Sequence, residues 1–421
     1  MKVDEDRLSR MRAMKSLIVT LVCAVVLGPF SIPGSRAAHA AGFCAGLKAA
    51  VAPQINGAAA FFVRSYEPGS DESALPVGLA ASAFVYDNAL AVIALIACDD
   101  AATARPIGEA LSRAVRSDRS FNDGRIRNAY RAGALGEGAP KLPGWWDEKA
   151  GLWAEDAAQD GTSTGNVAWA ALALLTLHQA TQEARYLADA RRLIDWVISD
   201  ASCGTDGFCG GFHGYDPHQV NLTWMSTEHN VDVYAAARWL GRLTGEPAYD
   251  EAARRARRLL DRTFQGDHFL LGTKPDGDLA DPGLLALDVQ LWPWMAIPDA
   301  PAAWRGALGF AQSHLAVDDG FDFNGDRDGV WVEGTAQAAL AFRINGDALR
   351  SDRLLSGLNP DRTRSGLLNA TRGARLTTGL SIDPTSTVPD FFYYQRPHLG
   401  ATAWAALAET GWNPFLGQKV P

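Results

Sequence analysis

The chain has 421 residues, with 39 Lys and Arg against 48 Asp and Glu, which gives a formal net charge of −9. Hydrophobic residues make up 47% and charged residues 21%, which excludes intrinsic disorder and supplies a large core. The acidic balance argues against nucleic acid or an anionic membrane surface as the main partner. Thirteen Trp and nine Tyr, several of them beside Gly, Pro or Asp, indicate a stacking surface.

Residues 1–40 have the pattern of a secretory signal peptide. Lys15 precedes an apolar run over 17–30, and Ala38-His39-Ala40 supplies a small-residue cleavage site. The run is shorter than the ~20 residues of a membrane span, so we expect no stable membrane insertion after processing. The sequence therefore predicts a secreted or periplasmic protein with a mature part over 41–421, and an uncleaved anchor is the alternative.

Four cysteines remain after residue 40, namely Cys44, Cys98, Cys203 and Cys209. An even number in an exported chain predicts two disulfides. Cys203–Cys209 would close a short glycine-containing loop, which leaves Cys44–Cys98 as the second pair. A metal site is the rival interpretation, but the chain has no Cys-x-x-Cys pair to support it.

From residue 80 onward the apolar spacing is helical, without convincing alternating strand runs, and predicts an all-α fold. Six Ala-rich segments are apolar nearly all round: 86–98, 165–178, 227–243, 285–297, 331–343 and 399–409. Five segments are amphipathic, 102–116, 182–198, 246–263, 301–314 and 346–357, and 45–66 is the expected sixth. Because an all-round apolar helix must be buried on every side, the pattern predicts a single-domain, monomeric (α/α)6 toroid of six helical hairpins.

The long connections all lead from an outer helix to the next inner helix: 118–164, 199–226, 264–284, 315–330 and 358–398. Connections beyond ~12–15 residues in a compact domain are usually functional. In a toroid they gather where the inner helices begin. That face is therefore the predicted site.

The starts of the inner helices carry carboxylates. Asp87, Glu228, Asp288 and Glu333 lie in first turns, Asn166 has the matching place in its own helix, and His398 precedes the last helix. Helix capping explains any one of them. Four carboxylates directed at the same opening favour a functional cluster. In such a cluster, repulsion between the carboxylates raises the pKa of at least one of them.

Such a cluster suits hydrolysis of a glycosidic bond. This reaction needs a protonated carboxyl for the leaving oxygen and an ionised carboxylate as base or nucleophile. We predict Glu228 as the general acid, with Asp87 or Glu333 opposite it, and no cofactor. Sugar rings stack on aromatic planes, and their hydroxyls bond polar groups. The candidate substrate-binding residues are Tyr86, Asn88, Trp145, Trp146, Asn166, Trp224, His229, Asn230, Asp288, Trp292, Trp331, Tyr394, Arg396 and His398.

The hairpin count, the inner and outer alternation and the acidic starts Tyr86-Asp87-Asn88, Thr227-Glu228-His229-Asn230 and Val332-Glu333-Gly334-Thr335 resemble the six-hairpin (α/α)6-toroid glycosidase superfamily over about 81–415. The resemblance implies a cleft at the N-terminal side of the inner helices. It also implies a hydrolase of a poly- or oligosaccharide that inverts the anomeric centre. Fold likeness alone does not prove activity.

Two other functions remain open. A polysaccharide lyase or epimerase on a related toroid needs a Tyr or His base, and His229, Asn230, Tyr394, Arg396 and His398 could supply its polar groups. A non-catalytic glycan-binding protein of an exopolysaccharide system would keep binding after loss of the carboxylates.

One segment resembles a calcium loop. Asp322, Asn324, Asp326 and Asp328 alternate with other residues, as EF-hand ligands do. Arg327 stands where an EF-hand has Gly. We therefore expect a solvated acidic turn, and the alternative is a calcium ion that braces the loop before Glu333.

Overall fold

The computed structural model describes residues 42–69, 75–383, 386 and 388–420. The predicted signal peptide lies outside the described residues. Within the described part of the chain, none of the helices is both long enough and apolar enough to span a membrane.

The described residues form thirteen α-helices. They are α1 (Phe43–Ile55), α2 (Val85–Ala97), α3 (Ala101–Arg116), α4 (Ala157–Asp160), α5 (Thr164–Thr181), α6 (Ala184–Asp200), α7 (Thr227–Thr244), α8 (Pro247–Thr263), α9 (Asp288–Ala296), α10 (Gly306–His314), α11 (Val332–Ile344), α12 (Ala348–Gly357) and α13 (Leu399–Thr410). Two 3-10 turns, Ala302–Arg305 and Asn359–Asp361, precede α10 and follow α12.

Six of these helices form a closed inner ring. In ring order α2, α5, α7, α9, α11 and α13 each contact the next, and α13 contacts α2. The outer helices α3, α6, α8, α10 and α12 pack on the inner helix that precedes each of them, and α1 packs on α13. The predicted (α/α)6 toroid is confirmed, including the closing role of the N-terminal helix.

The bounds of two predicted helices are wrong. The first outer helix ends at Ile55 rather than 66, because Asn56 adopts left-handed backbone angles with φ of 41° and stops the helix. The inner helix expected over 285–297 begins only at Asp288. It has nine residues and contains Pro293.

The long connections contain short antiparallel ladders. The strands are β1 (Phe61–Phe62), β2 (Ser82–Phe84), β3 (Ala129–Arg131), β4 (Gly133–Ala134), β5 (Trp145–Asp147), β6 (Leu152–Ala154), β7 (Thr162–Ser163), β8 (Gly211–His213), β9 (Val220–Leu222), β10 (Ala316–Val317), β11 (Gly320–Phe321), β12 (Leu368–Asn369), β13 (Arg375–Thr377), β14 (Phe392–Tyr394), β15 (Pro397–His398), β16 (Trp412–Asn413) and β17 (Gln418–Lys419). With two or three residues each, they are too short for an alternating pattern to register in the sequence.

A ring of backbone hydrogen bonds aligns the six inner helices. One N–H at the start of each helix donates to a carbonyl in the next hairpin's connection: Val85 to Asn128 (2.9 Å), Thr164 to Gly210 (3.1 Å), Thr227 to Leu271 (2.8 Å), Leu287 to Phe323 (2.9 Å), Val332 to Ala370 (3.1 Å) and Leu399 to Ser65 (2.9 Å). The last bond returns to the first connection. The residues after these six donors therefore occupy equivalent positions around the ring.

In five of the six inner helices, the residue three positions after the donor has a polar side chain. This side chain holds the preceding connection in place. Each accepts a hydrogen bond from a backbone N–H of the preceding connection: Asn88 from Val63, Asn230 from Phe208, Gln290 from Phe269, Thr335 from Phe321 and Thr402 from Leu368. All five side chains are buried. They satisfy backbone groups that burial would otherwise leave unpaired.

In both predicted pairs the two cysteines lie close together. The Cα atoms of Cys44 and Cys98 are 5.7 Å apart, and those of Cys203 and Cys209 are 5.6 Å apart. The first disulfide joins the start of α1 to the end of α2. The second closes the connection that leads to α7.

Candidate active site

The six equivalent positions define the centre of the ring, and they are occupied by Tyr86, Gly165, Glu228, Asp288, Glu333 and Gly400. The hydroxyl of Tyr86 on α2 donates to Oε1 of Glu333 on α11 at 2.7 Å. These helices are not neighbours, since α13 lies between them. The bond therefore crosses the central space, and the side chains at these positions face one another.

Gly165 and Gly400 have no side chains. In each case a side chain from the next helix in the ring fills the space. A Cβ atom at Gly400 would lie 2.5 Å from Oδ1 of Asp87 on α2. A Cβ atom at Gly165 would lie 2.5 Å from Cδ2 of His229 on α7. Asp87 and His229 thereby complete the ring of polar groups.

Glu333 has three polar neighbours, two of which donate hydrogen bonds to it. Besides the Tyr86 hydroxyl, Nε2 of Gln337 donates to its Oε1 at 3.3 Å, and Nδ1 of His398 lies 3.6 Å from its Oε2. Burial raises the pKa of Glu333 to about 7, with His398 lowering it and Asp87 raising it further. This carboxyl therefore changes protonation near neutral pH.

His398 links Glu333 to Asp87. Its Nε2 lies 3.3 Å from Oδ1 of Asp87, and its ring stacks on Tyr66 at 4.4 Å between centroids. Burial opposes a charged imidazole, but Asp87 and then Glu333 outweigh it and raise the pKa of His398. The residue therefore bridges two carboxyls on one side of the ring.

Glu228 is the carboxyl that solvent reaches. It is half-buried, whereas Asp87, Asp288 and Glu333 are buried. Burial of the carboxyl, with Asp288 and Glu333 nearby, raises the pKa of Glu228 well above its usual range. Glu228 is therefore the carboxyl of the ring that combines partial exposure with a strongly raised pKa.

Two more carboxyls lie beside Glu228. Burial raises the pKa of Asp288 to about 6, opposed by backbone N–H groups. Asp232, one turn further along α7, is fully buried, and burial together with Glu228 and Asp288 raises its pKa strongly. Its two oxygens have no hydrogen-bond partner among the described residues. Asp232 therefore adds a second buried carboxyl with a raised pKa close to Glu228.

His229 and Trp224 lie on the other side of Glu228. Both are half-buried, and their ring centroids are 5.7 Å apart. Burial lowers the pKa of His229 to about 4, so its imidazole is neutral at pH 7. Its Nδ1 has no hydrogen-bond partner within the described ranges.

An aromatic cluster forms the floor of the site. Trp169, Trp292 and Trp404 pack with ring centroids 5.4 to 5.8 Å apart, and Phe415 lies 5.3 Å from Trp169. Trp404 donates its indole N–H to the hydroxyl of Tyr86 at 2.8 Å. The floor therefore holds the Tyr86 hydroxyl in place for Glu333.

Four of the predicted substrate-binding residues are buried. Asn88 and Asn230 are fully buried, and each side chain bonds backbone groups through both its oxygen and its nitrogen. Trp292 lies in the floor, where its N–H donates to Gln337. Trp331 is buried with its ring 5.0 Å from Phe323. All four are packing residues.

The other predicted contacts are distributed over the loop face. Nδ2 of Asn166 donates to Oδ1 of Asn128. Trp145 and Trp146 lie on the β5–β6 hairpin, where Trp146 is 54% exposed. Tyr394 is 43% exposed on β14, and Arg396 is half-buried next to β15.

Two site residues were missed by the sequence analysis: Tyr66 and Gln337. Tyr66 lies in an irregular segment that the sequence analysis assigned to the end of the first outer helix, so it was not considered a site residue. Gln337 lies one turn after Glu333, and that spacing could have indicated it. Tyr393 packs 5.7 Å from Trp331, and Glu333 is among the groups that raise its pKa after burial.

The acidic turn of the α10–α11 connection is only partly solvated. Asp322 and Asn324 are buried, whereas Asp326 and Asp328 are exposed.

Several proteins of known structure share this architecture. No family model and no curated protein matches the chain. Among solved structures, a glycosidase matches at TM-score 0.60 and 13% identity over 88% of this chain and 96% of its own. The cellobiose 2-epimerase of Bacillus thermoamylovorans matches at TM-score 0.61 and 11% identity, over 87% and 97% of the two chains.

The chain has the (α/α)6-toroid fold of these glycosidases and epimerases. A GH76 α-mannanase of Bacteroides thetaiotaomicron matches at TM-score 0.52 and 12% identity, over 89% of this chain and 96% of that one. At such identities the likeness establishes the toroid fold alone.

Proposed function

We propose that this toroid is a carbohydrate-active enzyme that hydrolyses glycosidic bonds of a poly- or oligosaccharide, with Glu228 as general acid. The observation that carries the proposal is an accessible carboxyl whose pKa is raised, set in a ring with buried carboxyls. A general acid has to be protonated at the working pH and reach the leaving oxygen. Among the ring carboxyls Glu228 alone combines partial exposure with a strongly raised pKa.

Asp87 is the proposed base. In ring order α7 and α13 are opposite helices, and Asp87 fills the place that Gly400 of α13 leaves open. Asp87 therefore lies on the side of the ring opposite α7, the helix that carries Glu228. An inverting glycosidase needs this arrangement, because a water molecule enters between the sugar and the base.

Glu333 is the alternative base. Its pKa of about 7 leaves it partly ionised at neutral pH. The bond from Tyr86 and the contact with His398 hold its carboxyl in place. Trp224 and Tyr393 at the mouth, both half-buried, would stack against sugar rings.

One observation favours a second function, that of an epimerase. His229 is neutral, half-buried and has an Nδ1 without a hydrogen-bond partner among the described residues. A neutral imidazole facing a sugar can accept a proton from carbon. The epimerase among the structural neighbours adds weight to this alternative.

We also propose that the protein is exported and acts as a monomer. The pairing of Cys44 with Cys98 and of Cys203 with Cys209 supports an oxidising compartment. The signal-peptide pattern over residues 1–40 would direct this export.

The test is a screen of the purified mature protein against bacterial and plant glycans, with reducing-end release as readout. We expect Glu228→Gln and Asp87→Asn to lower the rate at least about 100-fold with unchanged circular dichroism. Glu137→Gln, in an exposed loop, is the matched control and should keep full activity. Undiminished hydrolysis in both site variants would refute the assignment.

The same screen separates the alternatives. An epimerase alters the terminal sugar, seen by NMR, without new reducing ends, and it would lose activity in His229→Gln. A lyase would release products that absorb near ~235 nm, because elimination creates a conjugated double bond. Binding that persists without turnover in the wild type would indicate a glycan-binding protein.

A further inference from the structure

Three aspartates in the connection between α10 and α11 bring their carboxylates together. One oxygen each from Asp322, Asp326 and Asp328 lies within 4.8 Å of the other two. The arginine inside this loop does not neutralise them. Its guanidinium donates instead to the backbone carbonyls of Ser313 and His314.

Asp322 supplies a second, independent observation. Its side chain is fully buried, and its Oδ2 has no hydrogen-bond partner in the described part of the chain. Its Oδ1 accepts from the N–H of Phe323 at 2.6 Å. Buried carboxylate oxygens are normally paired or bound to a metal, because an unpaired one costs free energy. The open oxygen therefore points to a ligand with positive charge.

We propose that Asp322, Asp326 and Asp328 bind a calcium ion. The donors are all carboxylate oxygens, which hard cations prefer. Calcium binds oxygen at ~2.3–2.6 Å, so ligand oxygens spread up to ~5 Å apart around one ion, whereas magnesium at ~2.0–2.1 Å holds them within ~4.2 Å. The three oxygens lie within 4.8 Å of one another, so one calcium ion can contact all three.

The proposed ion would brace two starts of inner helices. The carbonyl of Phe323 accepts from the N–H of Leu287, directly before Asp288. The carbonyl of Phe321 accepts from the N–H of Trp331, two residues before Glu333. Calcium at this loop therefore fixes the turns that present both carboxyls.

The loop is also tied to a second connection. Oδ2 of Asp328 accepts from the N–H of Thr377 at 3.0 Å, and Oδ2 of Asp326 accepts from the Thr377 hydroxyl at 2.5 Å. Thr377 ends β13, which pairs with the strand that holds Tyr393. One ion would thus join the α10–α11 and α12–α13 connections.

The test measures binding without any substrate, so it does not depend on the proposed hydrolysis. The mature protein is treated with EDTA, and its Tm is measured with 1 mM CaCl2, with 1 mM MgCl2 and without either ion. For a dissociation constant of ~10 μM we expect calcium to raise Tm by about 3 °C and magnesium to do less. Terbium should also bind and luminesce on excitation of Trp331, whose ring is 5.0 Å from that of Phe323.

Variants at two of the three aspartates test where the calcium ion binds. Asp328→Asn, at an exposed position, should fold and lose the calcium shift and the terbium signal, and Asp322→Asn should do the same. Asp276→Asn, an exposed aspartate in another acidic turn, is the control and should respond as the wild type does. Absence of any calcium shift in the wild type, or an unchanged shift in Asp328→Asn, would overturn the proposal.

Discussion

Gly400 and Asp87 are matched by shape: a Cβ atom at residue 400 would lie 2.5 Å from Oδ1 of Asp87 and 3.1 Å from Oε2 of Glu333. We expect Gly400→Ala to push the Asp87 carboxylate out of its place and to lower hydrolysis at least about 100-fold. The overpacked site should lose about 1–3 kcal/mol of unfolding free energy. Steady-state kinetics and urea unfolding of the purified variant measure the two effects.

Gly309 gives the matched control. It lies on α10, and a Cβ there meets nothing within 4 Å. Gly309→Ala should leave the rate unchanged and add up to about 1 kcal/mol of stability, since alanine favours a helix. Wild-type kinetics in Gly400→Ala would show that Asp87 does not need this space.

The buried Glu333 makes stability depend on pH. Its pKa is about 7 in the folded protein against 4.5 unfolded, so its contribution is fully present below pH 4.5 and is lost as pH rises through 7. Glu333→Gln should therefore raise Tm at pH 8, by an amount equivalent to about 3 kcal/mol at most, and give no such gain at pH 4. Thermal unfolding from pH 4 to 8 tests this, and an equal effect at both ends would contradict it.

Arg127 anchors two connections of the loop face. Its fully buried guanidinium donates to the carboxylates of Asp118 and Asp216 and to the carbonyl of Asp160. Arg127→Met leaves Asp118 without its arginine, while Asp216 still accepts from Arg119 and Ser120. We expect a loss of about 3 kcal/mol in urea unfolding. Arg258→Met removes an exposed ion pair with Asp206 and should cost less than about 1 kcal/mol. Equal losses in both variants would rule out the anchoring role.

The two disulfides should differ in their effect on stability. Cys44 and Cys98 are 54 residues apart, whereas Cys203 and Cys209 are 6 apart. Loop entropy predicts a loss of about 4 kcal/mol without the first disulfide and about 2 kcal/mol without the second. Urea unfolding of the two double-serine variants gives the order, and a larger loss for the short loop would contradict this account.

Features that depend on residues close together in the chain could be predicted from the sequence. Apolar periodicity gave the six inner helices, because a helix buried all round needs apolar residues on every face. The loop lengths indicated the face of the site. The spacing of the four cysteines gave both pairs, and the acidic first turns gave Asp87, Glu228, Asp288 and Glu333.

The tertiary structure decided which first-turn side chains reach the centre. Residues two apart on a helix point about 200° away from each other, so Glu228 faces the ring while Asn230 turns back to bond Phe208. Sequence analysis placed both at the substrate. Only closure of the ring fixes the rotation of each helix, through hydrogen bonds such as Leu399 to Ser65. The sequence by itself determined the helices and their acidic starts, and packing between distant segments determined which carboxyls share one space.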